Sequence, residues 1–213
     1  MKYEISSHVG GETMPATQVY SLLDNQLLIF VRSWGSQDYN QKFVDEIMHF
    51  LSTAQADIEV TSPFDFVENL TSLANKVRIS ILLAHDYFYK SENKNSFSVG
   101  FETAILMRHK KELAWGTVGR FDVHQLNSEK VNLISASGTD RDQHVLLPID
   151  LVGVEKDVDM RLGSIRLNGE KLLLSSAYKT NLQFKFDRNS KDWDLSGAGN
   201  DQATYWFSKI TLD

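Results

Sequence analysis

Between about Asp38 and Tyr87 the chain carries two successive stretches with apolar residues at helical spacing, and that block constrains the fold more than any other feature. In the first, Phe43, Val44, Ile47, Met48 and Leu51 recur on one face, with acidic residues early in the segment where a helix dipole favours them. Thr61-Ser62-Pro63 then offers a cap with proline in the first turn, and Phe66, Leu70, Leu73, Val77 and Ile81 continue a second apolar stripe to about Tyr87. Two such helices joined by a short loop pack antiparallel and need a sheet on which to bury their shared apolar side.

The rest of the chain supplies strands. Upstream, Gln18–Leu23 and Gln26–Val31 flank Asp24-Asn25, and the second is apolar on both faces, as in a buried central strand. Downstream of the polar stretch 90–96, strands are predicted at Phe97–Met107, Glu112–Val118, Asp122–Leu126, Val131–Ser135, Gly163–Leu167, Lys171–Ser176, Leu182–Phe186 and Ala203–Leu212. Turns at His109-Lys110, Asn127-Ser128, Asn168-Gly169 and the polar stretch Asp187–Asn200 separate them, Asn168-Gly169 being the strongest short hairpin signal. The order is two strands, two long helices, then about eight strands: an α+β protein with a strand-rich half and a helical layer, expected as one domain over residues 1–213.

A net charge of −6 argues against general nucleic-acid affinity, which needs a basic face. The tight basic cluster Arg108-His109-Lys110-Lys111 reads as a polar hairpin turn. With no cysteine there is no disulfide, thiolate zinc site or cysteine nucleophile, which agrees with a cytoplasmic address. No stretch approaches the ~18 apolar residues of a membrane span, and none near Met1 resembles a signal peptide, so a soluble protein with no membrane contact is expected.

Six histidines (His8, His49, His85, His109, His124, His144) show no metal-ligand spacing, and His124 beside Asp122 reads as a surface residue. There is no Gly-x-Ser-x-Gly, and Val9-Gly10-Gly11-Glu12 lacks a following lysine-serine pair and reads as a turn. The four tryptophans are scattered and read as core.

Several short motifs, in order along almost the whole chain, resemble those of the PPM-type (protein phosphatase 2C-like) metal-dependent Ser/Thr phosphatases. Leu28–Val31 followed by Arg32-Ser33-Trp34-Gly35-Ser36 resembles the strand ending in Asp-Gly-Met-Gly-Gly, and Leu73-Ala74-Asn75 matches a recurrent helical Ala-Asn. Gly100-Phe101-Glu102-Thr103-Ala104 resembles the Gly-Thr-Thr strand start, and Val118-Gly119-Arg120-Phe121-Asp122 the Val-Gly-Asp-Ser-Arg turn. Gly169–Tyr178 resembles Gly-Asp-x-Leu-Leu-Leu-x-Ser-Asp-Gly, and Asn200–Thr204 the Asp-Asp-Ala-Thr before the last strand. The resemblance implies a sandwich of two antiparallel β-sheets with two long antiparallel helices on one face, and a site at one end of the sandwich.

In that family aspartates bridge two metal ions, and a metal-bound water attacks the phosphoryl group. Here the resemblance aligns Arg32 and Ser33 with the first Asp-Gly, Arg120 with the aspartate of the central turn, and Ala177 with that of Ser-Asp-Gly. An upstream aspartate falls near Ala16-Thr17-Gln18, the phosphate-contacting arginine falls on Thr13, and Asp201 alone is retained. One carboxylate does not hold two divalent cations, and arginine at a ligand position repels them, by on the order of 4 kcal/mol per unit pair about 4 Å apart in a partly buried site. The chain therefore resembles a degenerate member: a pseudophosphatase with no metal or other cofactor, serving as a regulatory or scaffold protein in signalling. Compact bacterial members with switch roles are the nearest analogy. Arg32, Ser33, Arg120, Ala177 and Asp201 would form a pseudo-active site, where the arginines either bind an anion or simply pair with Asp201. An active phosphatase with a rebuilt metal site and an unrelated α+β binding module are the alternatives.

Only 24 residues separate Ser176 from Asp201, and 140–162 is also short, so helical cover of the second sheet is expected to be thin or absent. An uncovered face would then take a homodimer or a protein partner.

Overall fold

The computed structural model describes the chain except residues 11–13, 57–61, 128–129, 138–149, 170, 179, 190–191, 198–203 and 213, and gives backbone alone for 54–56. Strands β1 (Lys2–His8), β2 (Gln18–Leu22) and β3 (Leu27–Gly35) lead into helices α1 (Asn40–Ala56) and α2 (Ser72–Tyr87). Then follow β4 (Val99–His109), β5 (Glu112–Val118), β6 (Asp122–Leu126), β7 (Val131–Ser135), β8 (Arg161–Arg166), β9 (Lys171–Tyr178), β10 (Leu182–Asp187), β11 (Asp192–Gly197) and β12 (Thr204–Thr211). They form two five-stranded antiparallel sheets, ordered β2-β3-β4-β5-β8 and β1-β12-β9-β6-β7, and a separate β10–β11 hairpin.

Strand β3 shows why a run apolar on both faces belongs at the centre. Leu27, Ile29 and Val31 pack with Phe43, Ile47, Val77 and Ile81 of the helices, whereas Leu28 and Phe30 pack with Leu106, Trp115, Leu172 and Trp206 between the sheets. The alternating pleat thus serves two cores at once.

Helix α2 begins later than the apolar spacing predicts. It starts at Ser72, capped by the Thr71 hydroxyl, which accepts from the Ala74 N–H at 3.2 Å. Phe66, expected on its buried face, stands 54% exposed. The competing interaction is Asn75: its Oδ1 accepts from Val67 N at 2.9 Å, and its Nδ2 donates to Val67 O at 3.0 Å and Leu70 O at 3.2 Å. A buried amide that satisfies the loop backbone this way holds 67–71 out of the helix. Asn75→Ala leaves the Val67 N–H and carbonyl without these partners and is expected to cost about 2 kcal/mol in urea denaturation. A cost within experimental error would remove this account of the boundary.

Three further expectations change. Asn168-Gly169, with Gly169 at φ +88°, turns the chain but closes no hairpin, because β8 pairs with β5 in one sheet and β9 with β12 and β6 in the other. The N-terminal residues form edge strand β1 on β12. The polar stretch 187–200 contains β11, whose Trp193 and Leu195 lie opposite Phe186 and Phe184 of β10.

That hairpin alters the outlook for the second sheet. No helix among the described residues covers its outer face, as expected, but β10–β11 folds over it. The ring of Phe184 lies 5.0 Å from that of His124, Trp193 donates its Nε1–H to Asn127 O at 2.8 Å, and Lys209 pairs with Asp192 at 2.7 Å. Leu173 and Ser175 on β9 are consequently fully buried, so the middle of this face is not bare. Leu133 on β7, 53% exposed, lies beside the covered part.

Candidate functional site

Where the two sheets face each other the residues are mostly apolar, Thr117 and Ser208 apart, until the row that contains residue 32. In the β3–β4 register Phe30 faces Ala104, and the next inward pair is Arg32 with Glu102. Both are fully buried, and Arg32 Nη1 donates to Glu102 Oε2 at 3.0 Å. The opposite sheet contributes Ser176 of β9, whose Oγ accepts from the same Nη1 at 3.1 Å, and Thr17 Oγ1 accepts from Nη2 at 3.0 Å. The guanidinium lies 5.2 Å from the centre of the Phe121 ring.

Glu102 is the hub. Trp34 Nε1 donates to its Oε2 at 2.9 Å, and the backbone N–H of Arg120 donates to Oε1 at 2.8 Å. That second contact depends on Gly119: at φ +82°, a Cβ there would lie 2.5 Å from Glu102 Cγ. Glycine therefore lets the turn after β5 close on the carboxylate. The Arg120 guanidinium points elsewhere and stacks over Tyr178 at 4.8 Å, with Nε lacking a hydrogen-bond partner among the described residues.

The sequence-derived set is thus only partly brought together. Arg32 through its guanidinium and Arg120 through its backbone N–H both meet Glu102, while Asp201 and Thr13 lie outside the described residues. Ser33 points to the opposite side of β3 from Arg32, and its buried hydroxyl has no partner among the described residues. Ala177 is buried on the outward face of β9, shared with Leu173 and Ser175. Glu102 is a site residue that the motif comparison does not mark, although a lone acid inside the apolar run Val99–Met107 signals it. His124, read as a surface residue, is 7% exposed, its Nε2 lies 3.0 Å from Ser175 Oγ, and burial lowers its pKa to about 4.

The described residues around Glu102 do not suit a divalent metal. Glu102 already accepts three hydrogen bonds of about four that a carboxylate takes, and a guanidinium fills the adjoining space. A hard cation needs several oxygen ligands with free lone pairs, and among the described residues no group of three or more His, Asp or Glu is arranged to provide them.

Two facing antiparallel sheets, with two helices packed on one of them, are the fold of the PPM-type Ser/Thr phosphatases. The chain resembles the solved structure of PppA, described as a key regulatory component of T6SS in Pseudomonas aeruginosa, with TM-score 0.62 and 13% identity over 99% of this chain and 97% of that one. It likewise resembles Ser/Thr phosphatase Stp1 of Staphylococcus aureus, with TM-score 0.59 and 14% identity over 100% of this chain and 95% of that one. The catalytic domain of the Ser/Thr phosphatase PstP in complex with 2 manganese ions matches with TM-score 0.59 and 10% identity over 100% of this chain and 98% of that one. No protein-family model matches this sequence, and neither does any curated protein. Among the described residues no helix is long and apolar enough to cross a membrane.

Proposed function

We propose that this protein is a catalytically inactive PPM-type pseudophosphatase that acts through protein–protein contacts as a regulator or scaffold, in a cytoplasmic setting. The observation that carries this reading is the buried Arg32–Glu102 pair: positive charge occupies the position where the family resemblance calls for a metal-binding aspartate. The regulatory role described for PppA, a protein of the same fold, supports the second half. The pseudo-active site then serves as a structural plug. Of the set Arg32, Ser33, Arg120, Ala177 and Asp201, Arg120 is the cation best suited to a weak anion contact, since Arg32 is committed to Glu102. The outer face of the second sheet, around Leu133 and beside the hairpin, is the surface favoured for a partner or a second copy.

The test is calorimetric titration of Mn²⁺ into metal-stripped protein, paired with an assay of p-nitrophenyl phosphate hydrolysis. The expected result is no saturable heat at millimolar Mn²⁺ and no metal-dependent turnover. Stoichiometric binding of one or two ions accompanied by turnover would return the protein to the active phosphatases.

A further inference from the structure

The β4–β5 turn, distant from Glu102 along β4, borders an open groove of about 380 Å³ whose lining includes Thr71, Lys110, Lys111, Glu112, Ser164 and Arg166. We propose that this groove docks a phosphorylated segment of a protein partner.

The register builds the groove. His109 lies opposite Glu112, and Glu112 opposite Arg166, so one row of ionisable side chains crosses three strands on the face that carries α2. The Leu167 N–H donates to Lys111 O at 2.7 Å and fixes the end of β8 against the turn, where Lys110 adopts φ +53°. The far wall is the start of α2, whose Thr71 hydroxyl donates to Ser164 Oγ at 3.2 Å. Ser164 keeps its own hydroxyl proton for a ligand.

Charge selects an anion. Lys110, Lys111 and Arg166 form no ion pair with the described residues, and they stand together on a chain whose net charge is −6. Local field at a cationic groove outweighs a modest net charge of the same sign as the ligand, because salt screens beyond about 8 Å.

Size selects a peptide over a free anion. At about 380 Å³ the groove holds more than one phosphate group, so a ligand that fills it carries further structure beside its phosphate, as a phosphorylated peptide does and inorganic phosphate does not. This inference stands whether or not the phosphatase site is active.

Fluorescence anisotropy tests it, with a fluorescein-labelled peptide carrying two phosphoserines and the same peptide unphosphorylated. Saturable binding of the phosphorylated form is expected, weakened about tenfold or more by Arg166→Glu and by Lys110→Glu/Lys111→Glu. Lys185→Glu, on the exposed face of β10, should leave it unchanged. Thermal melts of the variants within a few degrees of the parent, expected for surface changes, confirm that each is folded. The proposal is overturned by no saturable binding at millimolar peptide, or by binding indifferent to Arg166 and the lysines. Displacement of the peptide by inorganic phosphate at equal concentration would reassign the groove to small anions.

Discussion

Glu102→Ala is expected to lower the stability of this protein by about 3–5 kcal/mol, because it strands the Arg32 guanidinium in a site with no access to water. Arg32 is fully buried, and its Nε already lacks a partner among the described residues, so Glu102 is its countercharge and a main source of hydrogen bonds. The same substitution frees the Trp34 indole N–H and the Arg120 amide. For a chain of this size the loss corresponds to a fall in Tm of about 6–20 °C. Removing both charges should behave differently. Burying an ion pair costs desolvation that its attraction barely offsets, so Arg32→Met/Glu102→Leu should recover most of the lost stability. Urea denaturation of the parent, Arg32→Met, Glu102→Leu and the double variant closes the cycle. Equal destabilisation by the double variant and Glu102→Leu would mean that the carboxylate matters through Trp34 and Arg120, not through Arg32.

Acid should weaken the protein well before its carboxylates titrate. His124 sits between Ser175 and the ring of Phe184, with Asp122 two residues earlier on its own strand. Burial lowers its pKa from 6.5 to about 4, so the folded state resists a proton that the unfolded chain accepts. With the unfolded state binding more protons, stability is fully present above pH 6.5 and falls as pH drops, levelling off once the folded imidazole also titrates, near pH 4. The difference is about 3 kcal/mol across that window. His85 is buried too, with its pKa lowered by burial, and contributes in the same direction. His124→Gln, which does not titrate, should therefore flatten the pH dependence without abolishing it. Because Phe184 belongs to the hairpin, release of β10–β11 is the expected first event, visible as increased Trp193 exposure to a fluorescence quencher. A variant whose acid slope matches the parent's would exclude His124 as the source.

Much of the fold was legible because periodicity reports burial directly. Glu112–Val118, Asp122–Leu126 and Val131–Ser135 form strands with the boundaries their alternation predicts, and Phe43, Val44, Ile47 and Leu51 are the buried face of α1. The start of α2 was not legible, since Pro63 and the apolar spacing of Phe66 and Leu70 favoured a helix while Asn75 offered the loop a better set of hydrogen bonds. Strand β11 was hidden for a related reason: Trp193 and Leu195 alternate with acids and serine, and so short a pattern is recognisable only once β10 lies beside it.

The residues by themselves determined the order of elements, the two-sided burial of β3, and the arginines at positions that the resemblance assigns to metal-binding aspartates. They did not determine what those arginines face. Arg32 and Glu102 are 70 residues apart and Ser176 is 144 from Arg32, so their meeting exists only when β3, β4 and β9 share one interior. A pleat tells which side of a strand is buried, but the partner across the gap is set by sheet order and register. The tertiary structure alone therefore decided that the acid among apolar neighbours in β4 would neutralise Arg32, and that His124 would lie under a hairpin rather than in water.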